Sequence, residues 1–121
     1  MPPAVSVCLH TLRNRADFLK AARARRRVTP GFVLQARQRI EGEAEGVRVG
    51  YTCSKKVGNA VARNRAKRRL REIARQVLPD VGRAGWDYVL IGRATETATR
   101  DFALLGTDLR QAVEKIHGAT E

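Results

Sequence analysis

The stretch from Lys55 to Arg75, KKVGNAVARNRAKRRLREIAR, carries nine basic residues and a single acid, Glu72, and reads as one amphipathic helix entered through a loop. Ala62, Ala66, Leu70, Ile73 and Val77 recur at helical spacing and are expected to face a core. Asn64, Arg68, Arg71 and Arg75 fall four, three and four residues apart on the far side. Gly58-Asn59 precedes the helix, with Asn59 suited to cap its first turn, and Pro79 is expected to stop it near Leu78. One face must therefore pack while the other stays outside as a cationic ridge. Like charges at i,i+4 destabilise a helix by about 0.2–0.5 kcal/mol per pair. The ridge thus costs stability unless something anionic relieves it.

The flanking sequence supplies the elements that such a helix can pack against. Residues 1–11, with Pro2 and Pro3, are expected to form an extended arm. Asp17 to about Ala24, DFLKAARA, has a helical pattern with Phe18, Ala21 and Ala22 inward and Lys20 and Arg23 outward. The run Arg25-Arg26-Arg27 follows at once. After Pro30-Gly31, FVLQARQRI and VRVGYTCS alternate as the two strands of a hairpin around the acidic turn EGEAEG. Gly82 and Gly85 lead into WDYVLIGR, whose run from Tyr88 to Ile91 predicts a buried central strand. Thr97 or Thr99 is placed to cap a last helix with a stripe of Phe102, Leu105, Leu109, Ala112, Val113 and Ile116. The order helix, strands, helix, strand, helix predicts a small α+β sandwich. At 121 residues and 43% apolar content, one domain over 1–121 is expected.

Charge narrows the function classes. The net charge is +12, but residues 1–27 hold seven basic residues and one acid, and residues 55–75 nine and one, while the remainder is slightly acidic. Two concentrated basic blocks on a near-neutral body point to a bound polyanion. Arginine outnumbers lysine nineteen to five. Either genome composition or the suitability of a planar guanidinium for phosphate accounts for that bias.

Cys8 and Cys53 have neither disulfide-framework nor zinc spacing, and are expected to be reduced thiols of a cytoplasmic protein, Cys53 as a small half-buried residue. No apolar run approaches a membrane span or a signal segment. No catalytic or metal-ligating constellation is assigned. His10 and His117 lie near the chain ends and are expected at the surface, Glu41, Glu43 and Glu45 suit a solvated turn, and no phosphate-cradling Gly-rich loop is found. Helix-turn-helix spacing, zinc ligands and dimerising heptads are missing too, which argues against DNA as the partner.

The residues carry more than charge. SKKVGNAVARNRAKRRLRE, from Ser54 to Glu72, resembles the signature of the protein subunit of bacterial ribonuclease P, centred on Arg63-Asn64-Arg65 with Lys67-Arg68 and Arg71. Supporting matches run in family order: Leu12-Arg13, Asp17-Phe18, Phe32-Val33-Leu34, Trp86-Asp87-Tyr88-Val89 and Ile91-Gly92-Arg93. The resemblance implies a two-layer αβββαβα sandwich, ribosomal-protein-like, whose mixed four-stranded sheet contains a left-handed βαβ crossover. Sequence spacing cannot show that handedness, since the default is right-handed.

It also implies an activity. As a subunit of an endoribonuclease holoenzyme, the chain is expected to assist magnesium-dependent removal of the 5′ leader from precursor tRNA. The partner RNA would carry the chemistry and hold most of the Mg2+. Lys55, Lys56, Asn59, Arg63, Asn64, Arg65, Lys67, Arg68, Arg71 and Arg75 are implied to contact the catalytic RNA. Phe18, Gln35, Lys56 and Arg68 are implied to meet the single-stranded leader at a shallow cleft on the sheet face.

Ala22 and Gln35 stand where the family often has aromatic rings, and each missing base stack forfeits about 1–3 kcal/mol. Phe18 is open to two readings, a leader contact or a core anchor of the first helix. The expected partners are the ribonuclease P RNA and precursor tRNA, with neither membrane nor DNA. A generic ribosomal or assembly protein is the alternative, and it would not affect precursor processing.

Overall fold

The computed structural model describes residues 9–40 and 46–118. Within them β1 (Leu9–Thr11), α1 (Arg15–Ala22), β2 (Arg25–Val28), β3 (Phe32–Gln38), β4 (Val47–Thr52), α2 (Ala60–Val81), β5 (Trp86–Gly92), α3 (Glu96–Thr99) and α4 (Phe102–Gly118) follow in order. The strands form one mixed sheet in the order β1-β4-β5-β3-β2. The expected αβββαβα order is present, with a fifth strand. Leu9–Thr11, the end of the expected arm, runs parallel to β4 along the sheet edge. The rest of the arm, with Cys8, lies outside the described residues.

β3 and β4 are not a hairpin. β5 lies between them, antiparallel to β3 from Phe32↔Gly92 to Gln38↔Trp86 and parallel to β4 from Arg48↔Asp87 to Thr52↔Ile91. The reason is burial: Trp86 to Leu90 are all 5% exposed or less, and a strand covered on both faces belongs in the middle of a sheet. The hairpin belongs instead to β2 and β3, which pair antiparallel around Thr29–Gly31. The acidic turn at 41–45 lies outside the described residues.

Alternation along the strands separates two cores. Phe32, Leu34, Ala36, Val47, Val49, Trp86, Tyr88 and Leu90 pack against Leu70, Ile73, Val77 and Leu78 of α2 and Leu105, Leu109, Val113 and Ile116 of α4. Each large side chain so buried stabilises by roughly 1.5–3 kcal/mol. The other face carries a smaller cluster of Leu12, Ala21 and Val89 with Phe18 and Ile91, covered by α1.

That second face also holds charge. Asp17, Asp87, Arg37 and Arg39 are buried there, and half-buried Arg48 joins them. Asp17 faces inward because α1 docks through it, Oδ2 lying 3.3 Å from Arg48. Ala22, expected inward, is exposed at the end of the helix.

Two helix boundaries also differ from the pattern. Pro79 does not end α2, which runs to Val81 and closes with the Gly82 N–H donating to the Leu78 carbonyl at 2.8 Å. A proline there removes one hydrogen bond in the last turn, where solvent can serve the freed carbonyl of exposed Arg75. Neither Thr97 nor Thr99 caps the last helix. Asp101 does, accepting the Leu104 N–H at 3.3 Å, while Thr97 is buried and donates to the Gly31 carbonyl at 2.6 Å.

His117, expected at the surface, is 3% exposed, because α4 returns across the sheet and lays the ring edge-on against Trp86, 4.4 Å between centroids. Burial beside Arg83 and Arg25 pushes its pKa down to about 4.

Candidate nucleic-acid interface

The sequence places α2 by two signals. Its apolar stripe fixes which side packs, and Ser54 and Asn59 fix where helix begins. Ser54 accepts the Lys56 N–H at the start of a 3-10 turn, Lys55–Val57, and Asn59 Oδ1 accepts the Ala62 N–H at 2.9 Å. Gly58 joins the two with a φ of 142°, a left-handed conformation that favours glycine. Lys55 and Lys56 are therefore exposed at the entry to the helix, beside its N-terminus.

Along α2, Asn64, Arg65, Arg68, Arg71 and Arg75 are exposed, and Arg63 and Lys67 are half-buried. Arg63 donates to the Gly58 carbonyl at 3.1 Å, which ties it across the helix entry. Arg71 lies 5.3 Å over the ring of Tyr51 on β4. Among the described residues, only Arg75 of the ridge meets an acid, Glu72 at 3.5 Å, in a pair open to water. The ninth cation leaves the ridge: Arg69 donates to the Arg100 carbonyl and lies 5.7 Å over Phe102, so it ties α2 to the segment before α4.

Two side chains beside the ridge, Tyr51 and Cys53, were not legible as site residues. Tyr51, Arg71 and Arg75 line a cleft of about 150 Å³ with Leu9, His10 and Thr11. Burial raises the Tyr51 pKa, opposed by Arg71 and Arg75, so the phenol stays neutral and can donate a hydrogen bond. Cys53 Sγ sits against Gly92, and its thiol is likewise pushed up by burial, opposed by the Gly92 backbone, Lys67 and Arg63. The cleft depends on β1 pairing with β4, and β1 is too short for a sequence pattern to reveal.

The residues assigned to the leader are divided. Phe18 and Gln35 share the α1 face of the sheet, Arg68 is on the solvent side of α2, and Lys56 is in the turn between β4 and α2. Gln35 is only 8% exposed. Phe18 is half-buried, its ring so close over Gly50 that a Cβ there would lie 2.4 Å from it. It anchors α1 and keeps part of its surface outside.

A family model for ribonuclease P matches residues 9–117. The chain belongs to the ribonuclease P protein family. The ribonuclease P protein component of Ruegeria pomeroyi is 68% identical over 121 residues, covering 97% of each chain. That of Paramagnetospirillum magneticum is 50% identical over 111 residues, 89% of this chain and 83% of the relative. Among solved structures, the ribonuclease P protein of Thermotoga maritima superposes with a TM-score of 0.72 at 29% identity, over 88% of this chain and 96% of the other. The α2 ridge with its RNR sequence lies well inside the matched region.

Proposed function

We propose that this chain serves as the protein subunit of ribonuclease P, joining the catalytic RNA and assisting removal of the 5′ leader of precursor tRNA. The observation that carries the reading is the α2 ridge: exposed cations on a helix whose other face is locked into the core, with one acid among them. Fixed cations of this kind lower the repulsion between two RNAs that must approach closely, at no cost in ordering the backbone. Arg63, Asn64, Arg65, Lys67, Arg68, Arg71 and Arg75, with Lys55 and Lys56, would meet the catalytic RNA. Asn59 contributes by holding the helix start.

The α1 face would take part of the leader at Phe18, with Lys56 and Arg68 holding its phosphates. Buried Gln35 would offer little more than a polar edge. Phosphodiester hydrolysis would be performed by the RNA, which would also hold most of the Mg2+. This chain's part is to bind, orient and screen charge.

The test is cleavage of precursor tRNA by the ribonuclease P RNA from the same source at low magnesium, with and without the purified protein. Restored and correctly placed cleavage that requires Arg63 and Arg68 is expected. An absence of stimulation by folded protein would favour a ribosomal or assembly role instead.

A further inference from the structure

The run Arg25-Arg26-Arg27 has no part in the α2 ridge. β2 is an outer strand of the sheet, at the edge away from β1, all four of its residues are exposed, and β3 and β5 separate it from β4. At strand spacing that is roughly 14 Å. α2 packs over β4, β5 and β1, so the ridge and β2 occupy opposite flanks of the sheet.

Alternation sends Arg25 and Arg27 toward α4 and Arg26, opposite Gln35, toward the α1 face. Arg25 is held in place, donating to the Ile116 carbonyl at 3.0 Å with its guanidinium 5.8 Å over Trp86. Arg27 and Lys115 line two adjoining clefts, of about 180 and 250 Å³. Asp108, the acid among the residues lining those clefts, is taken by Arg100 through contacts of 2.7 and 3.2 Å. Among the described residues no carboxylate pairs with Arg26, Arg27 or Lys115, whereas Arg100 and Arg110 each have one and Arg48 has two.

We infer that Arg26, Arg27 and Lys115 form a second binding surface for the phosphodiester backbone of structured RNA, on the flank of the sheet opposite α2. Charge on an edge strand also blocks edge-to-edge pairing, which accounts for β2 but not for Lys115, which reaches the same clefts from α4. A guanidinium and an ammonium over a shared cleft suit phosphate oxygens. The inference rests on the ribonuclease P reading, which supplies RNA large enough to reach both flanks. The backbone would belong either to the catalytic RNA or to the precursor tRNA.

The experiment compares the wild-type chain with R26Q/R27Q/K115Q, measuring across a salt series both protein binding to ribonuclease P RNA and precursor binding to the assembled holoenzyme. Each lost phosphate contact lowers the salt slope by up to about 0.9, so the variant should be shallower by about two in one of the two arms. That arm names the source of the backbone. R26K/R27K, which keeps the charge, should retain the wild-type slope.

Unchanged slopes in both arms for a monodisperse triple variant would overturn the inference. If the triple variant aggregates through its bared edge, K115Q alone decides, because it lies off that strand and should still lower one slope by up to about one. Wild-type protein that fails to stimulate cleavage removes the functional reading and this inference with it. Normal stimulation with unchanged slopes removes this inference alone.

Discussion

Asp87 and Arg48 stand directly opposite each other on β5 and β4 and meet as a fork, Nε to Oδ1 and Nη2 to Oδ2, both at 2.8 Å. The same carboxylate receives Arg39 at 2.5 Å and Arg37 at 3.4 Å, with no exposed surface of its own. Through Arg48 and Arg37 the network continues to Asp17, so α1 is tied to the central strand by charge as well as by Leu12 and Ala21.

Replacing Asp87 by Ala takes a carboxylate from three arginines at once. Breaking a buried pair by removing one partner costs about 3–5 kcal/mol. A loss of that size in denaturant unfolding is expected, and a loss under 1 kcal/mol would show that the arginines find solvent or other partners.

His117 makes stability depend on pH in a defined direction. The Tyr88 hydroxyl accepts the Arg83 N–H at 3.0 Å and shares a hydrogen bond with His117 Nε2 at 2.6 Å, and burial holds the tyrosine pKa up at about 12. With its own pKa lowered to about 4 from 6.5, the imidazole is neutral in the fold and takes a proton more readily when unfolded. Its contribution is therefore complete above pH 6.5 and is lost as pH falls toward 4, by at most roughly 3 kcal/mol. His117→Gln should flatten the unfolding free energy over that window. An identical pH profile in the variant would contradict the assignment.

Asn59 has a structural duty that is separable from RNA contact. Asn59→Ala removes the helix cap and should cost about 1 kcal/mol, while Asn59→Ser should retain most of it. Thermal unfolding of both without RNA tests the point, because a contact made only to RNA would leave them unchanged.

Gly50 sets the seat of Phe18. A methyl group at Gly50 would lie 2.4 Å from Phe18 Cε1 and 3.2 Å from Leu12 Cβ, so Gly50→Ala must displace the ring. A destabilisation of about 1–3 kcal/mol is expected. Weaker discrimination between precursor and mature tRNA should accompany it if the ring meets the leader. A fully stable variant would mean that α1 shifts freely.

Arg63 and Arg68 should each carry part of the salt dependence of RNA binding. Arg63→Ala and Arg68→Ala are expected to weaken binding and reduce the salt slope by up to about one each. Equal slopes in wild type and both variants would move the interface off this ridge.

Periodicity made α2 readable because its packed and outward faces differ so sharply in residue type. Ala66, Leu70, Ile73 and Val77 are buried, and Asn64, Arg68, Arg71 and Arg75 are exposed. Asn59 was legible as a cap, and β5 as a central strand, for the same local reasons. The departure of Arg69 from the ridge was not, because it depends on the Arg100 carbonyl, thirty-one residues away in sequence.

The residues alone determined an α+β chain built on a basic helix, since local geometry dictates 3.6- and 2-residue repeats wherever one face must be buried. Tertiary structure decided what lies beside what. Strand pairing is chosen by burial across the whole sheet, so β5 parts β3 from β4 and β1 joins the edge. Likewise Asp17, Asp87 and His117 look like ordinary surface residues in sequence. They are buried because partners from distant segments, Arg48, Arg39 and Tyr88, arrive only when the sheet and α4 close over them.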